Sequence, residues 1–101
     1  MNGAEAIAAE RRRQIEAEGY DASHDDMATR YQLGHAALGY IMAATCAQRD
    51  IAASLPPPRN WPWDEKYWKP KDPRHNLVVA GALIAAEIDR IDRLQKAEGQ
   101  R

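Results

Sequence analysis

The side chains best suited to chemistry lie in one short segment, NWPWDEKYWKPKDPRH, from Asn60 to His75. It holds all three tryptophans of this 101-residue chain, with basic residues interleaved between them. Indole rings stack on nucleobases, while lysine and arginine beside them pair with phosphate. The pattern therefore indicates binding of a nucleotide-type ligand. The candidate ligand-binding residues in this segment are Trp61, Trp63, Trp68, Lys69, Lys71 and Arg74.

The tryptophans also have a purely structural interpretation. The chain has no phenylalanine, and its hydrophobic fraction of 45% is rich in alanine. Large rings would then cover the end of a bundle whose helices lack bulk of their own. Prolines at positions 56–58, 62 and 70 stiffen the loop that carries the tryptophans. The rings are then held in place at low entropic cost, whether they fill the core or bind a ligand. With three tryptophans, two can fill the core while one forms a stacking platform.

A second concentration of polar residues is EGYDASHDD, from Glu18 to Asp26. The candidates to contact ribose hydroxyls here are Tyr20, His24, Asp25 and Asp26. Asp25 or Asp26 is also placed to cap a helix that starts near Met27. Three adjacent metal ligands could not converge on one ion without help from elsewhere in the chain. We therefore expect capping and surface charge here, with no bound metal and no cofactor.

No catalytic constellation can be read from the residues. There is no GxSxG motif and no glycine-rich phosphate loop, and the single cysteine, Cys46, lies among apolar neighbours in ATCAQ. A magnesium cage needs paired acids on two facing helices. The second predicted helix has no acidic residue between Ala28 and Gln48. The third carries Glu87, Asp89 and Asp92, where alternation with arginine is typical of a salt-bridged solvent face. We expect a binding protein and not an enzyme.

Three helices are predicted to position these residues, so the expected fold class is all-α. The first covers residues 4–18 and ends before Gly19. Its apolar stripe consists of Ile7, Ala8, Arg11 and Ile15. An arginine within such a stripe must reach a buried carboxylate, a carbonyl or a ligand. Arg11 is therefore a further candidate ligand-binding residue, and Glu87 is its candidate protein partner.

The second helix is predicted over residues 27–54, where Gly34 and Gly39 indicate close approach by a neighbouring helix. The third, over residues 73–98, opens with an Asp72-Pro73 start signal. Its near-heptad apolar series is Leu77, Gly81, Ile84, Ile88, Ile91 and Gln95. Because this helix is longer than its partner, its C-terminal half is expected to need another helix, for which a second subunit is one source. The loop between helices two and three spans residues 55–72.

The charge and hydrophobicity of the chain limit the classes of partner that it is expected to bind. A net charge of −1, with 29% charged residues, lacks the positive field that duplex nucleic acid requires. No apolar run approaches the roughly 20 residues of a membrane span, and no signal-peptide core is present. We expect one domain over residues 1–101 that is cytoplasmic and has no membrane partner. A chain this small with an alanine-rich core favours a homo-oligomer.

Two long motifs extend over nearly the whole chain, AERRRQIEAEGYDASHDD and WPWDEKYWKPKDPRHNLVVAGALIAAEIDRIDR. Together they resemble a family of small proteins from tailed phages and prophages. Relatives often have tryptophan at the positions of Tyr20 and Tyr67, and arginine at that of His75. The resemblance implies a helical phage accessory protein that acts in the cytoplasm of an infected bacterium.

By analogy with small oligomeric phage proteins, the leading hypothesis is a noncatalytic sponge that sequesters a nucleotide immune signal. The signal would be a cyclic dinucleotide or an ADP-ribose derivative. One alternative is a protein-interaction module that inhibits a host protein through helix three or the proline-rich segment. A weaker alternative is a metal-dependent nucleotide hydrolase whose acidic site is completed between subunits.

Overall fold

The computed structural model describes residues 1–45 and 53–99. In these ranges the chain forms four α-helices and no β-strand, which confirms the predicted all-α fold class. The helices are α1 (Gly3–Glu18), α2 (Ala22–Asp25), α3 (Gln32–Ala44) and α4 (Pro73–Gly99), and a 3-10 turn covers Glu65–Tyr67. None of the described helices combines the length and apolarity that crossing a membrane requires.

Both ends of α1 follow from local sequence signals. The Asn2 side chain accepts a hydrogen bond from the Glu5 amide at 2.9 Å, and the Glu5 carboxylate accepts one from the Asn2 amide at 3.0 Å. This capping box satisfies two amides that the helix itself leaves unpaired. Gly19 ends the helix in the left-handed conformation, with φ of 74°, which a residue without a side chain adopts without strain.

The buried face of α1 differs from the predicted apolar stripe. Ala6, Glu10 and Gln14 are buried, whereas Ile15 is exposed and Ile7 is only partly buried. The polar pair can be buried because Gln14 donates to Glu10, and Glu10 also accepts from Arg13 of the same helix. The helix therefore turns a polar face inward, where the pattern predicted isoleucine.

A very close approach to α4 fixes the position of α1. A Cβ atom added at Gly81 would lie 2.6 Å from Cδ1 of Ile7, so only glycine allows this contact. α1 thus packs on α4 through a glycine, and α4 also forms the larger interface of the bundle with α3. The long helix α4 is the element on which the other helices assemble.

The predicted start of the second helix, near Met27, is wrong. Asp21, and not Asp25 or Asp26, acts as a cap, since its side chain accepts the His24 amide of the short helix α2 at 2.9 Å. α3 begins only at Gln32, after Tyr31 has adopted a left-handed φ of 65° that interrupts any continuous helix. The predicted continuation from α3 towards residue 54, including Cys46, lies mostly outside the described residues.

The core between α3 and α4 is made largely of alanine. Leu33 and Leu83 are its largest fully buried apolar side chains, and Trp61, Trp63 and Trp68 pack against it from the loop. Added bulk at Gly39 would meet Pro58 at 3.0 Å and Trp68 at 3.3 Å. The close approach predicted at this glycine is therefore made by the loop and not by a helix, while Gly34 faces open space.

α4 begins where the Asp72-Pro73 signal places it. The Asp72 carboxylate accepts the His75 amide at 3.0 Å, and the Asn76 side chain pairs with both backbone groups of Lys71 at 2.7 and 2.9 Å. Asn76 is fully buried, so these bonds are shielded from water. They fasten the end of the loop to the first turn of α4.

Candidate functional site

A cavity of about 350 Å³ lies between α1, the loop of residues 55–72 and the N-terminal half of α4. We call this loop the tryptophan loop. Small-molecule sites have volumes of roughly 300 to 1,000 Å³, so the cavity lies at the lower end of that range. Aromatic rings form one wall, and charged side chains of both signs form the other. This is the candidate site.

The aromatic wall is built around Trp61. Its ring centroid lies 5.6 Å from that of Trp63, 5.8 Å from Tyr40 and 4.9 Å from Trp68, each in edge-on geometry. Edge-to-face packing is one of the favoured arrangements of aromatic pairs. The Trp61 indole N–H also donates to the Asp64 carbonyl at 3.1 Å. Trp61 is thereby held as the fixed centre of the wall.

Trp63 and Tyr20 form the outer part of this wall. Their ring centroids are 6.2 Å apart, and the other side of Tyr20 stacks on His24 at 4.6 Å. Trp63 is only half-buried, and within the described residues its indole N–H has no hydrogen-bond partner. Among the three tryptophans, Trp63 is therefore the best placed to stack on a ligand.

Lys69 and Lys71 both line the cavity. Their backbones are fixed, because the Lys69 amide donates to the Tyr40 hydroxyl at 3.1 Å and Lys71 is tied to Asn76. In the described part of the chain, neither ammonium group forms an ion pair or a hydrogen bond. Two unpaired cations on a pinned backbone can attract and orient an anion.

On the opposite wall, Arg13 is held between two carboxylates of α1. Nε and Nη2 donate to Glu10 at 2.7 and 3.0 Å, and Nη1 donates to Glu18 at 3.0 Å. Bidentate pairing of this kind is the stronger form of the arginine–carboxylate interaction. The bond to Glu10 is the main cause that raises the Arg13 pKa. Since its charge is already matched, Arg13 is less available to an anion than the two lysines.

Glu10 is ionised in spite of its burial. Burial alone would raise the Glu10 pKa, but the hydrogen bonds and charge of Arg13, together with the Gln14 amide, outweigh it. The net effect lowers the Glu10 pKa from its ordinary value of 4.5. The cavity therefore keeps a carboxylate that can accept hydrogen bonds from a hydroxyl or amino group.

Gln14 is buried in the lining of the cavity. The residue is 2% exposed, and its Nε2 donates to Glu10 at 3.2 Å. Among the residues that the structure describes, its buried Oε1 has no hydrogen-bond partner. Leaving such an acceptor unpaired costs about 1–3 kcal/mol. Because the Gln14 side chain lines the cavity, an N–H or O–H donor on a bound ligand could satisfy this atom after a small movement of the amide.

Three titratable rings also line the cavity, those of Tyr20, Tyr40 and His75. Burial and the nearby Lys71 charge lower the His75 pKa from its ordinary value of 6.5, so His75 is mainly neutral at pH 7. Burial raises the pKa of both Tyr20 and Tyr40, which keeps their phenols protonated. Among the described residues, Lys69 and Lys71 are therefore the basic side chains of the cavity without an ionic partner.

Apart from Glu18 and Tyr20, which line the cavity, the residues of the EGYDASHDD segment belong to a separate network. Asp25 is fully buried; one oxygen accepts from Arg11 at 2.9 Å and the other lies 2.8 Å from His24 Nδ1. Arg11 also donates to the Tyr20 carbonyl at 3.0 Å. Arg11 thus reaches a buried carboxylate and a carbonyl, but its carboxylate partner is Asp25. The Glu87 partner that the sequence predicted is wrong, since Glu87 pairs with Arg90.

Five of the eleven predicted site residues line the cavity, namely Tyr20, Trp61, Trp63, Lys69 and Lys71. Arg11, His24 and Asp25 belong to the buried network, and Asp26 pairs with Arg93 of α4 at 2.8 Å. Trp68 packs in the core and donates its N–H to the Leu55 carbonyl at 2.8 Å. Arg74 is exposed and donates to the Met1 carbonyl at 3.2 Å.

Sequence reasoning missed the contribution of α1 to the cavity. The polar lining residues that it did not select are Glu10, Arg13, Gln14, Glu18, Tyr40, Tyr67 and His75. One signal was available, because Ala6, Glu10 and Gln14 are spaced at four-residue intervals along one helix face. Polar residues that continue a buried small-residue face indicate an inward polar wall.

The described residues contain no cluster of three or more His, Cys, Asp or Glu that could hold a metal ion. Searches of protein-family models, curated proteins and solved structures give no match to this chain. Fold and site together define a small all-α protein with an aromatic and cationic cavity. Its function has to be argued from that cavity.

Proposed function

We propose that this protein binds a nucleotide-type anion in the cavity without converting it. In the more specific form of the proposal, it is a phage accessory protein that sequesters a nucleotide immune signal of an infected bacterium. The ligand would be a cyclic dinucleotide or an ADP-ribose derivative. The phage setting comes from the motif resemblance, whereas the ligand chemistry is supported by the cavity.

One observation carries the proposal: one cavity is lined both by aromatic rings and by two lysines that have no ionic partner among the described residues. Phosphate alone would need the cations and not the rings, and an apolar molecule would need the rings and not the cations. A nucleotide uses both, because its base stacks on indole and its phosphate pairs with lysine. In this arrangement Trp63 is the stacking ring, and Lys69 and Lys71 are the phosphate partners.

The α1 wall suits the remaining groups of such a ligand. The side-chain oxygens of Glu10 and Glu18 can accept hydrogen bonds from ribose hydroxyls or an exocyclic amine, and the Gln14 oxygen is a further acceptor. The small volume accommodates one nucleoside unit, so the rest of a larger ligand would extend through the cavity mouth. The protein would act as a homo-oligomer with one cavity in each chain.

The experiment is a titration of intrinsic tryptophan fluorescence with a panel of cyclic dinucleotides and ADP-ribose derivatives, followed by chromatography of the recovered ligand. Saturable quenching with unchanged ligand is the expected result. Replacing Lys69 and Lys71 together by alanine should weaken binding at least about tenfold, as two charge-assisted bonds are lost. Lys66→Ala is the matched control, since Lys66 lies in the same loop over the Tyr67 ring and does not line the cavity.

Two results would contradict the proposal. If no member of the panel changes the fluorescence or is retained by the protein, the cavity does not hold this class of ligand. If a nucleotide is bound but recovered as a cleaved product, the protein is a hydrolase. The magnesium dependence of that reaction would then be the next measurement.

A further inference from the structure

The side of α4 that faces away from the cavity carries an uncovered apolar series. Leu77, Ile84, Ile88 and Ile91 are 49, 42, 53 and 39% exposed. With Gln95, and with Gly81, which Ile7 of α1 covers, they alternate at spacings of four and three residues, the repeat that packs one helix against another in a coiled coil. We call these six residues the α4 seam. In the described part of the chain, about half of each large side chain of the seam remains in solvent.

We propose that a second copy of this chain covers the α4 seam, with the two α4 helices running antiparallel. The seam is self-complementary in this direction. With Ile84 opposite its own copy on the two-fold axis, Leu77 lies opposite Ile91. The exposed apolar side chains near the two ends of the seam then pair with each other across the interface.

The charges beside the seam favour the same direction. Arg74 and Asp92 are five helical turns apart and lie on the same flank of α4. An antiparallel pair brings Arg74 of one copy near Asp92 of the other, while a parallel pair brings like charges together. Both side chains are exposed, and Arg74 has only a single bond to the Met1 carbonyl at 3.2 Å. They are therefore free to pair between copies.

The proposed interface and the cavity use different faces of α4. The cavity is lined by His75, Val79 and Leu83, which point roughly opposite to Ile84 and Ile88 at 100° per residue. A dimer joined through the seam would keep both cavities open. The dimer and the ligand site can therefore be tested separately, and failure of one leaves the other in place.

Sedimentation equilibrium of the full chain tests the dimer. The wild type is expected at twice the 11.3 kDa mass of the chain. Ile84→Glu should raise the dimer dissociation constant at least about 30-fold, because it places two charges at the centre of the interface. Leu38→Glu is the matched control: Leu38 is 44% exposed on α3, against 42% for Ile84, and should leave the mass unchanged. Circular dichroism verifies that each variant remains helical.

A charge exchange tests the direction of the helices. Arg74→Glu and Asp92→Arg should each weaken the dimer a few-fold, and the double variant should restore it. Additive weakening in the double variant would overturn the antiparallel arrangement. A monomeric wild type, or an Ile84→Glu variant that remains dimeric, would overturn the interface. Unchanged nucleotide quenching by monomeric Ile84→Glu would show that the cavity does not depend on the dimer.

Discussion

The two polar segments of the chain both lie beside α1, but their charges are arranged differently. In the segment from Asp21 to Asp26, the buried charge of Asp25 is matched by Arg11, and these residues do not line the cavity of the candidate site. In the tryptophan loop, Lys69 and Lys71 have no ionic partner among the described residues, and they line the cavity of about 350 Å³ beside aromatic rings. A high density of polar residues therefore does not identify a binding site. Unpaired groups that face an accessible cavity do.

The largest effect is expected from breaking the matched network. Asp25→Asn leaves the buried Arg11 charge without its carboxylate, which should lower the free energy of unfolding by about 3–5 kcal/mol. Urea denaturation followed by circular dichroism measures the change. Asp26→Asn is the control, since the exposed Asp26–Arg93 pair contributes no more than about 1 kcal/mol. Equal losses in the two variants would show that burial does not distinguish these pairs.

Within the tryptophan loop, Trp68 and Trp63 are expected to differ in their effects on stability and on ligand binding. Trp68→Ala removes a ring that packs on the core and on Gly39, and should lower the free energy of unfolding by about 3 kcal/mol. Trp63→Ala should affect stability less, but cost about 1–3 kcal/mol of nucleotide binding. Urea denaturation and ligand titration are measured on both variants. Comparable loss of stability with no selective loss of binding would make Trp63 another core residue.

The sequence predicted the helical fold well where local signals decide it. Gly19 predicted the end of α1, and the Asp72-Pro73 pair predicted the start of α4. Both predictions succeeded because these residues act on the backbone within one helical turn. The start of α3 was missed because Asp21 caps a separate short helix and Tyr31 adopts a left-handed conformation, which its residue type does not favour.

The candidate site was only half predictable for a related reason. Trp61 and Trp63 stand out through their residue type, and proline stiffness indicates that they are held in place. Glu10 and Gln14 look like ordinary helix-surface residues. They line the cavity because Gly81 lets α1 pack closely on α4, a tertiary contact between residues distant in sequence. Residue type thus identified one wall, and only packing revealed the other.

A smaller effect on the free energy of unfolding is expected from the Glu10 charge on α1. Because the Glu10 pKa is lowered in the folded state, its ionised form stabilises the protein above the ordinary value of 4.5. This contribution is lost as the pH falls through the lowered pKa. Glu10→Gln should therefore be less stable than the wild type at pH 7, and the difference should shrink below about pH 4.5. Denaturation midpoints at several pH values measure it, and a gap that stays constant with pH would assign the loss to shape and not to charge.

The smallest expected effect links His75 to the ligand. Burial and the Lys71 charge lower the His75 pKa from its ordinary value of 6.5. His75 is therefore protonated at a lower pH in the folded protein than in the unfolded chain. A bound anion would offset the Lys71 charge and restore part of that pKa. Binding should then take up a fraction of a proton near pH 6.5 and tighten by less than about tenfold from pH 8 to pH 6. Titration calorimetry in two buffers of different ionisation enthalpy counts the proton. His75→Asn should abolish the uptake while Trp63 still reports binding, and an unchanged uptake in that variant would place the titrating group elsewhere in the cavity.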